Sequence, residues 1–298
     1  MTIALIGNDQ DLATNYLNWL ASQRGIETIQ LTESGLGSSW SFDLDENGGE
    51  IFLERRTLAS ADLTGALVRF TPEPDLPPAL ELEADERSFF IGERREALHQ
   101  FVSLLPCPIA NPTSAGRSNS SKPYQMMHLT RRGFRVPDWI ASNDADAVRS
   151  FVDRHPGGAV YKSISGLRSQ VREADDQLLQ RLAEGSSPVI VQKLIRGREV
   201  RIHTVGDNVF PTEIRCPAVD YRFNSDGATY GPTEAPEAIA RRCVDVARQE
   251  GLLIAGFDFL VDDDEDWWVL EYNPVPSFLP YEMSTGQEIG AALLDKLC

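Results

Sequence analysis

The sequence predicts a mixed α/β (α+β) protein: a parallel α/β unit, a small central unit and a C-terminal antiparallel sheet. Three observations predict it. The chain opens strand, helix, strand, with TIALIG (2–7), DLATNYLNWLASQRG and TIQL (28–31), an order that suits parallel pairing around a crossover helix. The second half offers strand pairs joined by short polar turns, REVRIHTVGDNVFPTEIR and GFDFLVDDDEDWWVLEYN, which suit antiparallel ladders. Between them PCPIANPTSAGRSNSSKP (106–123) is rich in Pro, Ser, Asn and Gly and marks the main boundary. Units are expected at 1–107, 108–187 and 188–298.

In chain order, the first helix has apolar residues at helical spacing and ends at Gly25. SWSFDL, ENGG and EIFLERR read as a β-hairpin with an Asn-Gly turn. GALVRF (65–70) is a strand, and the proline-rich TPEPDLPP after it must leave the sheet. SFFIGERREALHQFVSLL is a helix, as are PYQMMHLTRRG and DADAVRSFVDRH (144–155). AVYKSIS is a strand followed by the small-residue turn GLRSQ; QLLQRLAEG is a helix and PVIVQKLI (188–195) an apolar strand. Two strands flank a Gly-Asp turn, APEAIARRCVDVARQEGL is an amphipathic helix, the acidic hairpin follows, and TGQEIGAALLDKLC closes as a helix.

Composition narrows the function. The chain has 298 residues and a formal net charge of −17. An acidic surface repels a phosphate backbone, so nucleic acid is not an expected partner. No apolar run approaches the roughly 20 residues that span a bilayer, so a membrane is not expected either. MTIALIGNDQ lacks a basic start and a cleavage site. The four cysteines, Cys107, Cys216, Cys243 and Cys298, form no CxxC and read as small core residues of a cytoplasmic protein.

The hairpin carries the sharpest signal. A turn centred near Asp264 and Glu265 places Asp258 opposite Glu271, and Asn273 shares a face with Glu271. Two carboxylates and an amide oxygen on one face suit a hard cation such as Mg²⁺, which takes carboxylate oxygens plus phosphate and water. The bland alternative is a solvated face of an edge hairpin, against which stand the neighbouring Phe259, Trp267 and Trp268. The acids Asp262 to Asp266 read as the solvated turn.

Lys162 sits in an apolar strand, where it either snorkels to the surface or faces an anion. Gln192 ends a buried strand, and the backbone leaving it is suited to reading an adenine edge. Glu199 and Arg201 share a face of the next strand, and Arg215 and Arg222 follow; alone, an E-x-R pair is more often a surface ion pair. The four histidines form no HxxxH or HExxH, and His203 reads as a packed strand residue. No GxxxxGK[ST], no GxGxxG after a strand and no EF-hand spacing exists.

The order of these pieces resembles the ATP-grasp ligases, RimK-like branch, over roughly residues 108–298. The residues that carry it are Lys122 before a helix, Lys162 before a small-residue loop, VQKLI with Glu199 beyond it, EVRIHTVGD, TEIR, GFDFLV and LEYNP. The N-terminal part, through WSFDL…GGEIFL and LTGALVRFTPEP, is similar to the pre-ATP-grasp region of the MvdD-like peptide ligases, which make graspetides. AVDYR (218–222) resembles their substrate-holding stretch and TGQEIGAAL their closing helix, whereas NPVPSF stands where the family reads NPNGQ.

The resemblance implies an ATP-grasp fold: a pre-ATP-grasp domain, a central lid domain and a C-terminal sheet domain. It implies that Lys122 and Lys162 contact phosphates, that Gln192 and the backbone of Lys193 and Ile195 hold adenine, and that Glu199 holds ribose. Asp258, Glu271 and Asn273 would hold one or two Mg²⁺, or Mn²⁺ in their place. Arg201 and Arg215 would stabilise the transferring phosphoryl group, and Asp220 with Arg222 would meet the substrate. The loop after Lys162 would close as a lid. The implied reaction is ATP-dependent: a carboxylate becomes an acyl phosphate and then an amide or ester. The expected partner is a peptide, with a small carboxylate or amine substrate as the alternative and a non-catalytic nucleotide-binding relative as the third reading. A homodimer or homotetramer is the assembly that goes with it.

Overall fold

The structure, a computed structural model, describes residues 1–70, 82–115, 121–164, 171–215 and 228–298. The N-terminal unit runs β1 (Thr2–Gly7), α1 (Leu12–Gln23), β2 (Glu27–Thr32), β3 (Trp40–Asp45), β4 (Gly48–Leu53), β5 (Arg56–Ala59), β6 (Leu63–Arg69), α2 (Ala84–Leu104) and β7 (Ile109–Ala110). Asp11 caps α1 by accepting the Thr14 N–H at 2.8 Å, and Gly25 takes the positive φ past its end. The parallel sheet has the order β2-β1-β6-β7. One face packs Ala4, Ile6, Ala66 and Val68 against Leu98, Phe101 and Val102 of α2, with Trp40 and Ile51 beside them.

The expected hairpin forms between β3 and β4, but its turn is shifted by one residue. Asp45 pairs with Gly48, so the two loop residues are Glu46 and Asn47. Asp45 accepts the Asn47 N–H at 2.7 Å and so sets the turn, while Gly48 and Gly49 carry the positive φ angles just inside β4. A third strand, β5, pairs with β4. The stretch TPEPDLPP lies outside the described residues.

The central unit contains α3 (Lys122–Arg131), β8 (Trp139–Ser142), α4 (Ala145–Asp153), β9 (Ala159–Ser163), β10 (Arg172–Glu173), α5 (Asp176–Ala183) and β11 (Val189–Lys193). Its antiparallel sheet has the order β10-β9-β11-β8. By pairing, then, β11 belongs to the central sheet and not to the C-terminal unit expected from residue 188 onward. Val191 and Tyr161 face the leucines and Phe151 of α4 and α5. Strand alternation therefore sends Lys162, Ile190 and Gln192 to the other face.

The C-terminal unit runs β12 (Arg198–Val205), β13 (Asn208–Arg215), β14 (Thr229–Pro232), α6 (Glu237–Gln249), β15 (Ile254–Val261), β16 (Trp267–Asn273), α7 (Leu279–Thr285) and α8 (Ile289–Leu297). The antiparallel sheet has the order β14-β13-β12-β15-β16. Its first face packs Val200, Ile202, Phe257, Phe259 and Tyr272 against Cys243, Val246 and Ala247 of α6. Its second face is apolar at one end, where Val205 and Ile254 meet α8 and, through α8, the β1 and α1 side of the N-terminal sheet; Ile214, opposite Glu199, joins the same core from β13. A Cβ on Gly65 would stand 2.4 Å from the Leu297 carbonyl oxygen, so glycine is what lets α8 dock that closely on β6. Among the described residues no helix is long and apolar enough to cross a membrane.

Candidate active site

The other end of that second face is charged. Arg201 of β12 pairs with Asp258 of β15, which pairs with Glu271 of β16. Cross-strand partners share a face, so the three side chains form one row across three strands. Arg201 Nη1 donates to Asp258 Oδ1 at 2.5 Å, and both side chains are almost wholly buried. From the far side, Lys122 Nζ of α3 stands 3.6 Å from Glu271 Oε2. The row therefore reads cation, anion, anion, cation. Two adjacent carboxylates would repel, and the flanking cations offset that repulsion.

A bulge lies at this point of the hairpin. Asp258 pairs with Glu271 but Phe259 pairs with Val269, so Leu270 is the extra residue. Bulges twist a strand and re-aim side chains, and this one falls directly before Glu271. The next row holds His203, Gly256 and Asn273. Gly256 leaves a gap in the floor that the Arg201 guanidinium fills: a Cβ there would meet its Nη2 at 2.3 Å. The guanidinium also lies over the Tyr281 ring, with Cζ 5.9 Å from its centroid.

His203 is fully buried and edge-on to Tyr281, and its Nε2 donates to the Ser277 carbonyl at 3.2 Å. Burial, and then the charge of Arg201, hold its imidazole well below the usual histidine range. It is a neutral packing residue, as the sequence suggested, and not an acid–base group. Asn273 Oδ1 accepts the Val275 N–H at 2.9 Å, which fixes the amide's orientation. The segment after it is pinned by three elements. Asn111 donates to the Pro274 carbonyl, Arg69 to that of Pro276 at 3.1 Å, and His203 to that of Ser277. NPVPSF is thus a fixed wall that buries Pro274, Pro276 and Phe278 and exposes Val275 and Ser277.

The nucleotide-side residues of the sequence reading lie on α3, on the central sheet and just beyond it. Lys122 and Lys162 are both buried, and Gln192 Nε2 reaches Met126 Sδ of α3 at 3.6 Å. Lys193 turns its ammonium over the Trp268 ring, 5.4 Å from the centroid, so its side chain points away from Gln192. Its backbone N–H is committed to the Asp138 carbonyl at 2.8 Å. Ile195 is buried just beyond, and Glu199 lies half-buried on the Arg201 face.

Arg215 is not brought into this cluster. The Gly206-Asp207 turn pairs Arg201 with Thr212, so Arg215 leaves β13 on the opposite face, largely exposed, and donates to Glu213 at 2.9 Å. Asp220 and Arg222 lie outside the described residues, as does the loop 165–170 after Lys162. The acidic turn is more organised than a merely solvated one. Asp262 accepts from the N–H groups of Asp264 and Asp266 and from the Trp268 indole, while Glu265 pairs with Arg198 and Asp266 with Arg135.

Sequence reasoning passed over Gly256, Tyr281 and Gln125. A glycine inside the apolar run GFDFLV was the available signal for a close approach. Gln125 falls on the same buried stripe of α3 as Lys122, Met126 and Leu129.

The donor set tests the metal reading. Among the described residues no three His, Cys, Asp or Glu side chains gather into a metal-holding group. The row supplies two carboxylates with a carboxamide in the next row, too few for an all-protein cage. It fits a hard cation that completes its shell with phosphate oxygens and water.

Comparison with known proteins follows the same lines. The model of the RimK-like ATP-grasp domain matches residues 119–297. Among curated relatives, N-acetylaspartylglutamate synthase A of Mus musculus is 25% identical over 211 residues, 65% of this chain and 54% of that protein. Beta-citrylglutamate synthase B of Homo sapiens is 23% identical over 215 residues, with the same coverage. The chain thus spans about half the length of these relatives. Solved structures are similar over the whole chain. Macrocyclase MdnC of Microcystis aeruginosa, bound with its precursor peptide MdnA, superposes with a TM-score of 0.84 at 20% identity, covering 100% of this chain and 99% of that one. A RiPP-associated ATP-grasp ligase of Chryseobacterium gregarium, in complex with ADP and a leader and core peptide, gives 0.85 at 19% identity, covering 100% and 96%.

Proposed function

The chain belongs to the RimK-like ATP-grasp family, and on that footing we propose that it is an ATP-dependent ligase that closes a carboxylate onto an amine or hydroxyl of a ribosomally made peptide. The observation that carries the chemistry is the buried row Arg201–Asp258–Glu271 with Lys122 against its end. Phosphoryl transfer asks a protein for positioning and charge neutralisation more than for acid–base groups. The row offers fixed cations and oxygen donors, and the histidine of the next row, His203, is held well below the usual histidine range by burial and by the charge of Arg201.

Lys122 and Lys162 bind the nucleotide phosphates, Gln192 and the backbone around Lys193 and Ile195 bind adenine, and Glu199 binds ribose. Since the Lys193 N–H is already committed, the donor for the purine edge is Ile195. Asp258, Glu271 and Asn273 would hold one or two Mg²⁺, which would supply charge neutralisation for the transferring phosphoryl group. Arg201 stabilises the transferring phosphoryl group; Arg215, on the other face, is left out of this assignment. Asp220 and Arg222 contact the substrate. The substrate carboxylate takes the γ-phosphoryl group of ATP, releasing ADP, and the amine or hydroxyl then displaces phosphate from the acyl phosphate.

A peptide substrate is favoured by the closeness of the fold likeness. The peptide-bound ligases superpose with TM-scores of 0.84 and 0.85, whereas D-alanyl-alanine synthetase A of Vibrio cholerae, which also covers the whole chain, reaches 0.64. A small amino-acid substrate is the second reading, favoured by the N-acetylaspartylglutamate and beta-citrylglutamate synthases. The test is mass spectrometry of the protein with ATP, Mg²⁺ and a peptide encoded beside it. Loss of one water per bond formed supports the peptide reading. An unchanged peptide mass, with ADP released only on adding small amino acids, supports the second.

A further inference from the structure

Strand β16 is an edge strand, paired on one side by β15. Among the described residues its outward edge meets a single β-bridge, Arg135 to Trp268, and no further strand, and the bulge at Leu270 weakens the ladder on the inner side as well. The segment carrying Glu271 and Asn273 would be poorly held by β15 alone. Backbone contacts from outside the sheet, at Arg135 and at Gln125, help to hold it. The Val269 N–H donates to the Arg135 carbonyl at 2.9 Å. Beyond the bulge, the Tyr272 N–H donates to Gln125 Oε1 at 3.1 Å, and Gln125 Nε2 donates to the Tyr272 carbonyl at 2.8 Å.

A carboxamide offers one acceptor and a donor in the manner of a peptide group. Gln125 therefore takes the place of one residue of a missing sixth strand. The clamp is dry, with Gln125 and Tyr272 both fully buried or nearly so. Tyr272 stands between Glu271 and Asn273, whose side chains project to the opposite face. Three residues before Gln125 on the same helix stands Lys122, against Glu271.

We infer that Gln125 is a positioning residue: by gripping the Tyr272 peptide groups it sets where Glu271 and Asn273 present their oxygens and how far Lys122 stands from them. The inference rests on the assignment of Glu271 and Asn273 as metal ligands.

The test is direct titration of Mn²⁺ into the full chain with ADP, reading free Mn²⁺ by electron paramagnetic resonance. Gln125→Leu keeps the volume and removes both bonds. Residues that orient metal ligands typically cost about 10–100-fold in metal affinity when changed, so the Mn²⁺ dissociation constant should rise about 10-fold or more. Leu17→Ala, in the N-terminal core, matches a general loss of stability and should leave that constant unchanged. Equal thermal destabilisation of the two variants with unchanged Mn²⁺ binding in Gln125→Leu would overturn the inference. If Gln125→Leu does not fold, Gln125→Glu, which keeps the acceptor and loses the donor, carries the same expectation. Glu271→Gln separates the two layers. If it leaves Mn²⁺ binding intact, the metal assignment falls and the inference with it. If it weakens binding while the Gln125 variants do not, the inference alone falls.

Discussion

Replacing Gly256 with alanine should separate catalysis from stability more cleanly than any change to a charged residue. The backbone there carries no unusual φ, so alanine is conformationally acceptable. Its methyl group, however, would stand 2.3 Å from Arg201 Nη2 and 2.6 Å from Cζ and Nε, where ordinary contact begins at 3.4 Å. The guanidinium has to withdraw by about 1 Å, and displacements of that size at a reacting centre cost roughly 10²-fold in rate. It has little room to do so gently. Asp258 holds it at 2.5 Å, the Tyr281 ring lies 5.9 Å from its Cζ, and Arg201 is 5% exposed. The strain of overpacking such a site is about 1–3 kcal/mol, less than the roughly 3–5 kcal/mol of breaking a buried pair outright.

The expected result for Gly256→Ala is a folded protein whose kcat for ADP formation with its substrate drops about 100-fold, with KM for ATP changed far less. Arg201→Lys keeps a charge but loses the planar fork. Because both changes act through one guanidinium, adding Gly256→Ala to Arg201→Lys should cost little more. A Gly256→Ala enzyme with wild-type kcat, or a double variant whose losses simply multiply, would refute the claim that Arg201 works from its seat over Gly256.

Three further outcomes follow from the same geometry. Asp258→Asn and Glu271→Gln should each reduce ADP formation at least about 10²-fold, the scale of lost charge-stabilising groups, and Asp258→Asn should also lower stability because Arg201 keeps its buried charge without a counter-ion; intact ADP release in both would sink the metal assignment. The Tyr16 phenol donates to Glu282 at 2.5 Å, and burial, that bond and the charges of Glu282 and Glu288 push its pKa up to about 12. A raised pKa contributes stability that is present below the unfolded value near 10 and lost as pH climbs from there through about 12, so urea midpoints should fall over that window in the wild type and more weakly in Tyr16→Phe. Asn111 bonds the backbone of Leu253, Ile254 and Pro274 from a buried position; Asn111→Ala should cost about 3 kcal/mol in urea unfolding, and a loss under about 1 kcal/mol would show those groups re-pair without it.

The parts of the fold that could be read from sequence are those in which pattern and turn agree. The pairing of Asp258 with Glu271 follows from two apolar runs around a polar turn, and the structure has that register. The N-terminal strand–helix–strand and the Gly206-Asp207 turn are equally local. What escaped was short or set by partners far away. Strands β5, β7, β10 and β14 have two to four residues, too few to show a period. Helix α7 has seven residues with proline near its start. The Leu270 bulge depends on what packs around the hairpin. The assignment of β11 to the central sheet depends on β8 and β9, both distant in sequence.

Arg215 is a different case, because its place was already written in the chain. A two-residue turn at Gly206-Asp207 forces Val205 to face Asn208, hence Arg201 to face Thr212 and Arg198 to face Arg215. Parity alone puts Arg215 with Arg198 on the α6 side, where Arg198 pairs with Glu265 and Arg215 with Glu213. A count of cations near an acidic trio treats these arginines as equivalent; a count along the ladder does not. The same parity selects Glu199, Arg201 and His203 for the other face, and there the physics sorts them again. His203 is driven neutral by burial and by its neighbour's charge. Arg201, nearly as buried, is answered by Asp258 and has its space over Gly256. Chemistry at this face therefore depends less on which residues are ionisable than on which of them the sheet pairs and leaves room for.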